Sequence, residues 1–314
     1  MDEELFDLEV LQEPTTGRAG IALGRTADGQ RILRKWMVNR QDLAGCRALT
    51  REASVSASRL LLAGVPYVRS ANWSRGLVTS LWRDFVPGEQ LAASLLSLSD
   101  VRSLGATLAR FHCSGRPISS SGIGRSLPKY WLGNVFWHGG RDAIEALLQD
   151  LPPASGALVA QVVREIFARR DTLISPDAHP KRYDLFTLAH GDFTPSNIVR
   201  SNTSGSPSFW LIDLGEAFIG RPEVDIAMFL VSSSMPLPFA GAFIAGYCAE
   251  REARGWPLMV DDLLDEVERN RPICALQWHV VGALVSGGGA HLEAPDTEDT
   301  LAAACERVLD TLPG

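Results

Sequence analysis

The segment His190-Gly191-Asp192-Phe193-Thr194-Pro195-Ser196-Asn197, with Leu211-Ile212-Asp213-Leu214-Gly215 a short distance beyond, constrains this chain more than any other part of it. Asp192 and Asn197 stand five apart, far enough for a loop to aim one side chain outward and bring the other back beside it. Asp213 follows two apolar residues and precedes Leu214-Gly215, the pattern of a strand end opening into a turn. Two carboxylates and an amide so placed suit phosphoryl transfer. A carboxylate near the acceptor hydroxyl aligns it with the γ-phosphorus, and separate oxygen ligands hold the magnesium that neutralises phosphate charge. Taken singly, each residue has a plain structural reading: Asp and Asn are common in turns, His190 suits a satisfied core histidine, and Asp225 suits a helix cap. Their order and spacing between apolar runs carry the chemistry.

The chain around this segment changes character once. Its first eighty-odd residues read as strands punctuated by glycine: 21–23 and 31–37 flank Thr26-Ala27-Asp28-Gly29, and Asp-Gly between two such runs signals a hairpin. Thr50 is a candidate N-cap for a helix over 50–63, with Gly64 placed to stop it. Strand-like runs at 68–73 and 77–86 complete a small sheet. After Pro87-Gly88 the pattern turns helical, at 91–98 and again at 99–112, where Val101, Leu104, Leu108 and Phe111 recur at helical spacing. Residues 115–140 read as an irregular loop over a substrate site, followed by helices at 141–149 and 155–173. Short strands are expected on either side of Asp192 and Asp213. Beyond Ala227 the chain reads as helices interrupted by Pro236, Pro238, Pro257 and Pro272.

At the catalytic segment the chain resembles the aminoglycoside phosphotransferase and choline kinase superfamily, whose signature H-G-D-x-x-x-x-N precedes an I-D segment and a later D-[IL]-A. Asp225-Ile226-Ala227 matches the last of these. It also resembles protein kinases, with Gly191 where their H-R-D has arginine and Asp213-Leu214-Gly215 where they have D-F-G. The glycine favours the small-molecule branch, which lacks the phosphorylated activation loop that the arginine anchors. The resemblance implies an α+β, bilobal, protein-kinase-like fold, with a small antiparallel-sheet N-lobe holding one helix and a larger, mainly helical C-lobe. Residues 1–87 would bind the nucleotide, and residues 88–314 would carry catalysis and acceptor binding. It further implies Asp192 as catalytic base, Asn197 and Asp213 as magnesium ligands, His190 as support for the loop, and Asp225 as a buried brace for the loop backbone.

For the N-lobe the resemblance implies ATP or GTP as co-substrate. Thr15-Thr16-Gly17-Arg18-Ala19-Gly20 precedes the first ribbon, and Gly17 and Gly20 would let backbone N–H groups approach the phosphates; an ordinary turn fits the same residues. A kinase-like lobe needs a cation on its third strand and a helix glutamate to orient it, and Lys35 with Glu52 is the natural pair. Arg34 competes, because Ile32-Leu33 is what usually runs directly into the family's cation; the compact ammonium favours Lys35. Glu52 also reads as a solvated glutamate near a helix start. Leu81-Trp82-Arg83-Asp84-Phe85-Val86-Pro87-Gly88-Glu89-Gln90-Leu91 looks like the family's hinge, and the helix ending in Phe111-His112 resembles one that packs behind the catalytic loop, making His112 a core residue.

Composition narrows the partners. The net charge of -7 gives a nucleic acid no electrostatic support, while a cationic acceptor gains a little, and acidic clusters at Asp261, Asp262, Asp265, Glu266 and Glu268 and at Glu293, Asp296, Glu298 and Asp299 could meet it. Those clusters suit solvated helix faces equally. Five cysteines with no C-x-x-C pair argue against a disulfide framework or a zinc site and fit a reducing cytoplasm. The acidic start Met1-Asp2-Glu3-Glu4 is unlike a signal peptide, and no apolar run has the length of a membrane span. The expected acceptor is a hydroxylated small molecule: an aminoglycoside or other antibiotic, a sugar, or an amino alcohol. A protein or lipopolysaccharide-sugar acceptor is the alternative, and a nucleotide-binding scaffold without catalysis is disfavoured because Asp192, Asn197 and Asp213 are all present.

Overall fold

A computed structural model of the chain describes residues 6–14, 19–37, 43–56, 64–92, 96–120, 153–168, 187–201, 208–276 and 278, with a few positions between 303 and 312. Its first part is a five-stranded antiparallel sheet of order β1-β2-β3-β5-β4, with β1 at Phe6–Gln12, β2 at Gly20–Arg25, β3 at Arg31–Trp36, β4 at Val68–Ser74 and β5 at Leu77–Asp84. The Asp28-Gly29 hairpin forms between β2 and β3, with Gly29 at φ 81° and the Gly29 N–H donating to Thr26 O. The β4–β5 turn is Arg75-Gly76, both at positive φ, the two-residue geometry that matches strand twist. The edge strand β1 had no sequence signal.

Helix α1 spans Leu43–Ser56, so it starts seven residues before Thr50, and residues 57–63 lie outside those described. Thr50 is therefore no cap. Its hydroxyl donates to Cys46 O at 2.7 Å and accepts the Val78 N–H at 2.8 Å, which ties the helix to β5. The helix fails to begin at Thr50 because Cys46 and Leu49, one turn earlier, already bury against Ala53, Val78 and Leu81.

Of the helix expected at 91–98, residues 91–92 and 96–97 are not helical, and 93–95 lie outside the described residues. Just before it, Glu89–Gln90 pairs as β6 with β8 (Ile198–Ser201), which pairs in turn with β9 (Ser208–Leu211). Helix α2, Leu98–Ser120, opens with a capping box: Asp100 N–H donates to Ser97 Oγ, and Ser97 N–H to the Asp100 carboxylate, both at 3.1 Å. It runs on through 115–120, which the sequence assigned to a loop; 121–150, including the expected helix at 141–149, lie outside the described residues. Helix α3 is Pro153–Ala168. Strand β7 (Thr187–Ala189) pairs with β10 (Phe218–Gly220), so short strands do flank both motif aspartates.

Helices α4 (Glu223–Ser233), α5 (Leu237–Ala253) and α6 (Val260–Ala275) follow. Pro236 and Pro238 sit at the start of α5, where no N–H is missed, but Pro272 lies inside α6 without interrupting it. Helices α2 and α5 cross backbone to backbone. A Cβ on Gly105 would lie 2.1 Å from Phe243 O and one on Gly246 2.0 Å from Arg102 O, so only glycine permits the approach. Leu104, Leu108 and Phe111 of α2, Ile226 and Phe229 of α4, and Phe243 and Tyr247 of α5 form one fully buried core beneath the β7–β10 pair. Among the described residues no helix is long and apolar enough to cross a membrane.

Candidate active site

The catalytic loop runs from β7 to β8 and is anchored from below. Phe193, fully buried, packs its ring 5.2 Å from Phe229, whose own ring stacks 5.0 Å from Phe243. With Phe193 held inward, the neighbouring Asp192 is left only partly covered. Gly191 turns the chain at φ 83°, and a Cβ there would lie 2.1 Å from Glu216 O, so the position demands glycine twice over. Asn197 returns after a short 3-10 turn, Pro195–Asn197, and its Nδ2 donates to Asp192 O at 2.9 Å and Oδ2 at 2.7 Å. Burial pushes the Asp192 carboxyl above its ordinary value, with Asp213 and Asp225 adding to the rise and the Asn197 hydrogen bond opposing it.

Beneath the loop lies a buried polar chain. Asp225 on α4 accepts the backbone N–H of His190 at 2.6 Å and of Gly191 at 2.9 Å, and its Oδ2 meets His112 Nε2 at 2.9 Å. His112 Nδ1 lies 2.8 Å from the Tyr247 hydroxyl. One proton arrangement satisfies every member: Nε2–H of His112 donates to Asp225, and Tyr247 donates to Nδ1. Burial keeps His112 below its ordinary pKa, hence neutral, and raises the Tyr247 hydroxyl, hence protonated. Burial alone would raise Asp225, but the hydrogen bond from His112 and the loop N–H bring it below the usual carboxylate range. His190, also buried, donates from Nε2 to Ile212 O at 2.9 Å, and its Nδ1 then accepts the Asp192 N–H at 3.4 Å. The imidazole thus joins the Asp192 loop to the strand that delivers Asp213.

Asp213 caps the 3-10 turn Leu214–Glu216 in a left-handed conformation, φ 62° and ψ 64°. Its Oδ1 accepts from Lys35 Nζ at 2.9 Å. The side chain is 54% exposed. Burial would raise this carboxyl, but the charge and hydrogen bond of Lys35 prevail and hold it low, with Arg83 contributing.

Strand register puts Lys35 and Arg34 on opposite faces of the sheet. Lys35 stands directly opposite Leu81, which packs with Cys46, Leu49 and Ala53 of α1, so Lys35 shares the covered face. It is 5% exposed and its Nζ lies 2.9 Å from Glu52 Oε2. Arg34 points the other way and stacks between Trp36 and Trp82, 5.1 and 5.2 Å from the ring centroids. Gly20 opens β2 with the Trp36 ring against it, and Gly17 lies outside the described residues.

Three further residues escaped the sequence reading. Arg83 of β5 donates from Nη1 to Glu52 Oε1 at 3.2 Å. Glu216, half exposed, adds a third carboxylate near Asp192 and Asp213 and is raised by burial and by both of them. Arg51 of α1 reaches across to Glu216 Oε1 at 3.2 Å and to Gly215 O. The available signal was a charge at the covered parity of a strand for Arg83; nothing local marks the other two. Among the acidic residues offered to an acceptor, Glu266 is buried and paired with Arg221 and Arg269, and Glu268 with Arg271; Glu293, Asp296, Glu298 and Asp299 lie outside the described residues.

Asp213 Oδ2 and Asn197 Oδ1 accept no hydrogen bond among the described residues, and both are hard oxygen donors. They fit magnesium, which takes few protein ligands and fills its shell with water and phosphate oxygens. Among the described residues no group of three or more His, Cys, Asp or Glu side chains forms a metal cage.

The sequence profile of the phosphotransferase enzyme family (APH) matches residues 20–259, most of the chain. The chain belongs to the phosphotransferase enzyme family. Solved structures agree on the fold of this phosphotransferase. APH(2")-IIia with GDP and kanamycin aligns over 99% of this chain and 94% of its own at 17% identity and TM-score 0.66. Choline kinase from Cryptosporidium parvum aligns over 97% and 88% at 12% identity and TM-score 0.69. The spectinomycin phosphotransferase APH(9)-Ia, with ADP and spectinomycin, aligns over 98% and 94% at 16% identity and TM-score 0.63. No curated protein matches significantly. The phosphotransferase thus has the α+β kinase-like fold expected for it and is a kinase acting on alcohol groups.

Proposed function

We propose that this phosphotransferase moves the γ-phosphoryl group of ATP or GTP to a hydroxyl of a small polar acceptor, with Asp192 as the base. The observation that carries the reading is the convergence of Asp192, Asn197, Asp213 and Lys35, joined through the Asn197–Asp192 and Lys35–Asp213 contacts and the mutual repulsion of the two aspartates. Asp192 accepts the acceptor O–H proton as that oxygen bonds to the γ-phosphorus, and the bond from γ-phosphorus to the β–γ bridging oxygen breaks to release the diphosphate. Its raised pKa brings the base closer to the proton it must take. The Asn197 amide holds the carboxylate in position, and Lys35 offers its ammonium to the α and β phosphates. Asp213 and Asn197 would hold magnesium, which supplies charge neutralisation at the phosphates.

In this reading residues 1–87 hold the nucleotide and residues 88–314 supply the loop and the acceptor site. Support for a small acceptor comes from the structural neighbours, which bear kanamycin or spectinomycin or are kinases of choline, all hydroxylated cations. The negative chain and the Glu216 carboxylate beside Asp192 suit a cation. The buried cysteines Cys46, Cys274 and Cys305 suit a reducing cytoplasm.

The test is an acceptor panel of aminoglycosides, other antibiotics, sugars and amino alcohols, following ATP and GTP consumption and an added phosphate by mass spectrometry. A phosphorylated small molecule, absent with Asp192→Asn, is expected. Phosphorylation of a protein in preference to every small molecule would overturn the acceptor class, and full turnover by Asp192→Asn would overturn the base.

A further inference from the structure

Four charges alternate in a row through the nucleotide side of the site. Arg83 Nη1 lies 3.2 Å from Glu52 Oε1, Glu52 Oε2 lies 2.9 Å from Lys35 Nζ, and Lys35 Nζ lies 2.9 Å from Asp213 Oδ1. The Arg83, Lys35 and Glu52 side chains are 7%, 7% and 2% exposed, against 54% for Asp213. At formal charges the buried three sum to +1, because one carboxylate faces two cations. A buried excess charge is costly unless an anion answers it, and here Asp213 does. A lysine–glutamate pair alone would be neutral and self-contained. Arg83 Nε is buried and has no hydrogen-bond partner among the described residues, so the guanidinium keeps donor capacity after gripping Glu52.

We infer that Arg83 is a positioning residue of the nucleotide site: by holding Glu52 Oε1 it fixes α1 against the sheet and leaves Lys35 with charge that Glu52 alone does not neutralise, available to the phosphates. The inference rests on Lys35 being the phosphate cation. Register supports it, since Arg83 pairs with Leu33 and Leu81 with Lys35, which places both cations on the face that α1 covers. Glu52 is thereby located by two strands, β3 and β5. Were Asp213 to hold magnesium, a nucleotide phosphate would be the anion left to balance Lys35, and the excess charge that Arg83 creates would favour it. Arginine suits the post because its planar fork stays charged when buried and holds a carboxylate in one orientation.

The experiment compares Arg83→Met, Arg83→Lys, Glu52→Gln and Lys35→Ala by nucleotide KM, acceptor KM, kcat and thermal melting. Arg83→Met is expected to raise the nucleotide KM about tenfold, the scale of losing one charged hydrogen bond, and to leave the acceptor KM unchanged. Arg83→Lys should recover most of the loss. Adding Arg83→Met to Glu52→Gln should cost less than the two separately, since both act through one carboxylate. A lowered melting temperature with both KM values unchanged, or an equal rise in both, overturns the inference. Should Arg83→Met fail to fold, Arg83→Gln carries the same expectation and the same refutation. If Lys35→Ala leaves the nucleotide KM unchanged, the reading of the site itself fails; if only the Arg83 variants are silent, this inference alone falls.

Discussion

Replacing Asp225 tests whether the catalytic loop is held from beneath. Asp225 is fully buried and accepts from the His190 N–H, the Gly191 N–H and His112 Nε2. Asp225→Ala leaves three donors without a partner in a site that water does not reach. Breaking a buried charged network by removing one partner costs about 3–5 kcal/mol, a large share of the roughly 5–15 kcal/mol that keeps a protein folded. Turnover should fall with stability, because Asp192 lies one residue beyond the backbone that Asp225 grips, and a displacement of about 1 Å can cost about a hundredfold in rate. Asp225→Asn keeps the shape but turns an amide N–H₂ toward one of the three donors, so it should be milder without being silent. The pH dependence follows in sign. With a folded pKa below the unfolded value, Asp225 contributes stability above about pH 4 that is lost as pH falls through the depressed folded value. Urea unfolding of the three proteins at neutral and acid pH, with kcat on the same samples, measures all of this. An Asp225→Ala protein of native stability and turnover would refute the brace, and a stability difference that persists undiminished at low pH would refute the ionic part of it.

Three further outcomes are expected. Asp192→Asn should cut kcat by about 10²–10⁴ while sparing nucleotide affinity. Because the folded state raises the pKa of Asp192, ionising it at neutral pH works against folding, so the same variant should melt higher, and the acid limb of wild-type kcat/KM, which reports the free enzyme, should lie above the roughly 3.9 of a free aspartate; a limb at or below that value removes Asp192 as the base. Lys35→Ala should raise the nucleotide KM, whereas Arg34→Ala, whose side chain stacks on Trp36 and Trp82, should change it less than about twofold; the reverse order in steady-state kinetics would overturn the register argument. Gly191→Ala should destabilise by at least about 1–2 kcal/mol, from the left-handed backbone alone, and impair turnover as the new methyl meets Glu216 O, both read by melting and kcat.

Much of the catalytic half was legible in the sequence because its parts are local. A strand, a glycine turn and a return strand bring Asp192 and Asn197 together within eight residues, and no distant contact is needed to specify that. The Asp28-Gly29 hairpin was legible for the same reason, since backbone preference at one turn decides it. Element edges were not. Helix α1 begins where its apolar face first finds the sheet, and Glu89–Gln90, at the end of the hinge-like segment, pairs with β8, a strand more than a hundred residues away. The sequence favoured Lys35 over Arg34 only by the compactness of its ammonium, because adjacent residues on a strand differ in which face they present, and the covered face is defined by α1 packing on Leu81. Arg83 with Glu52, Arg51 with Glu216 and His112 with Tyr247 join residues 31, 165 and 135 apart in the chain. The amino-acid order determined the motif residues and the turn that presents them; the tertiary structure alone decided which charges face one another, because a strong electrostatic contact is set by a few ångströms of separation and local sequence carries no record of that distance.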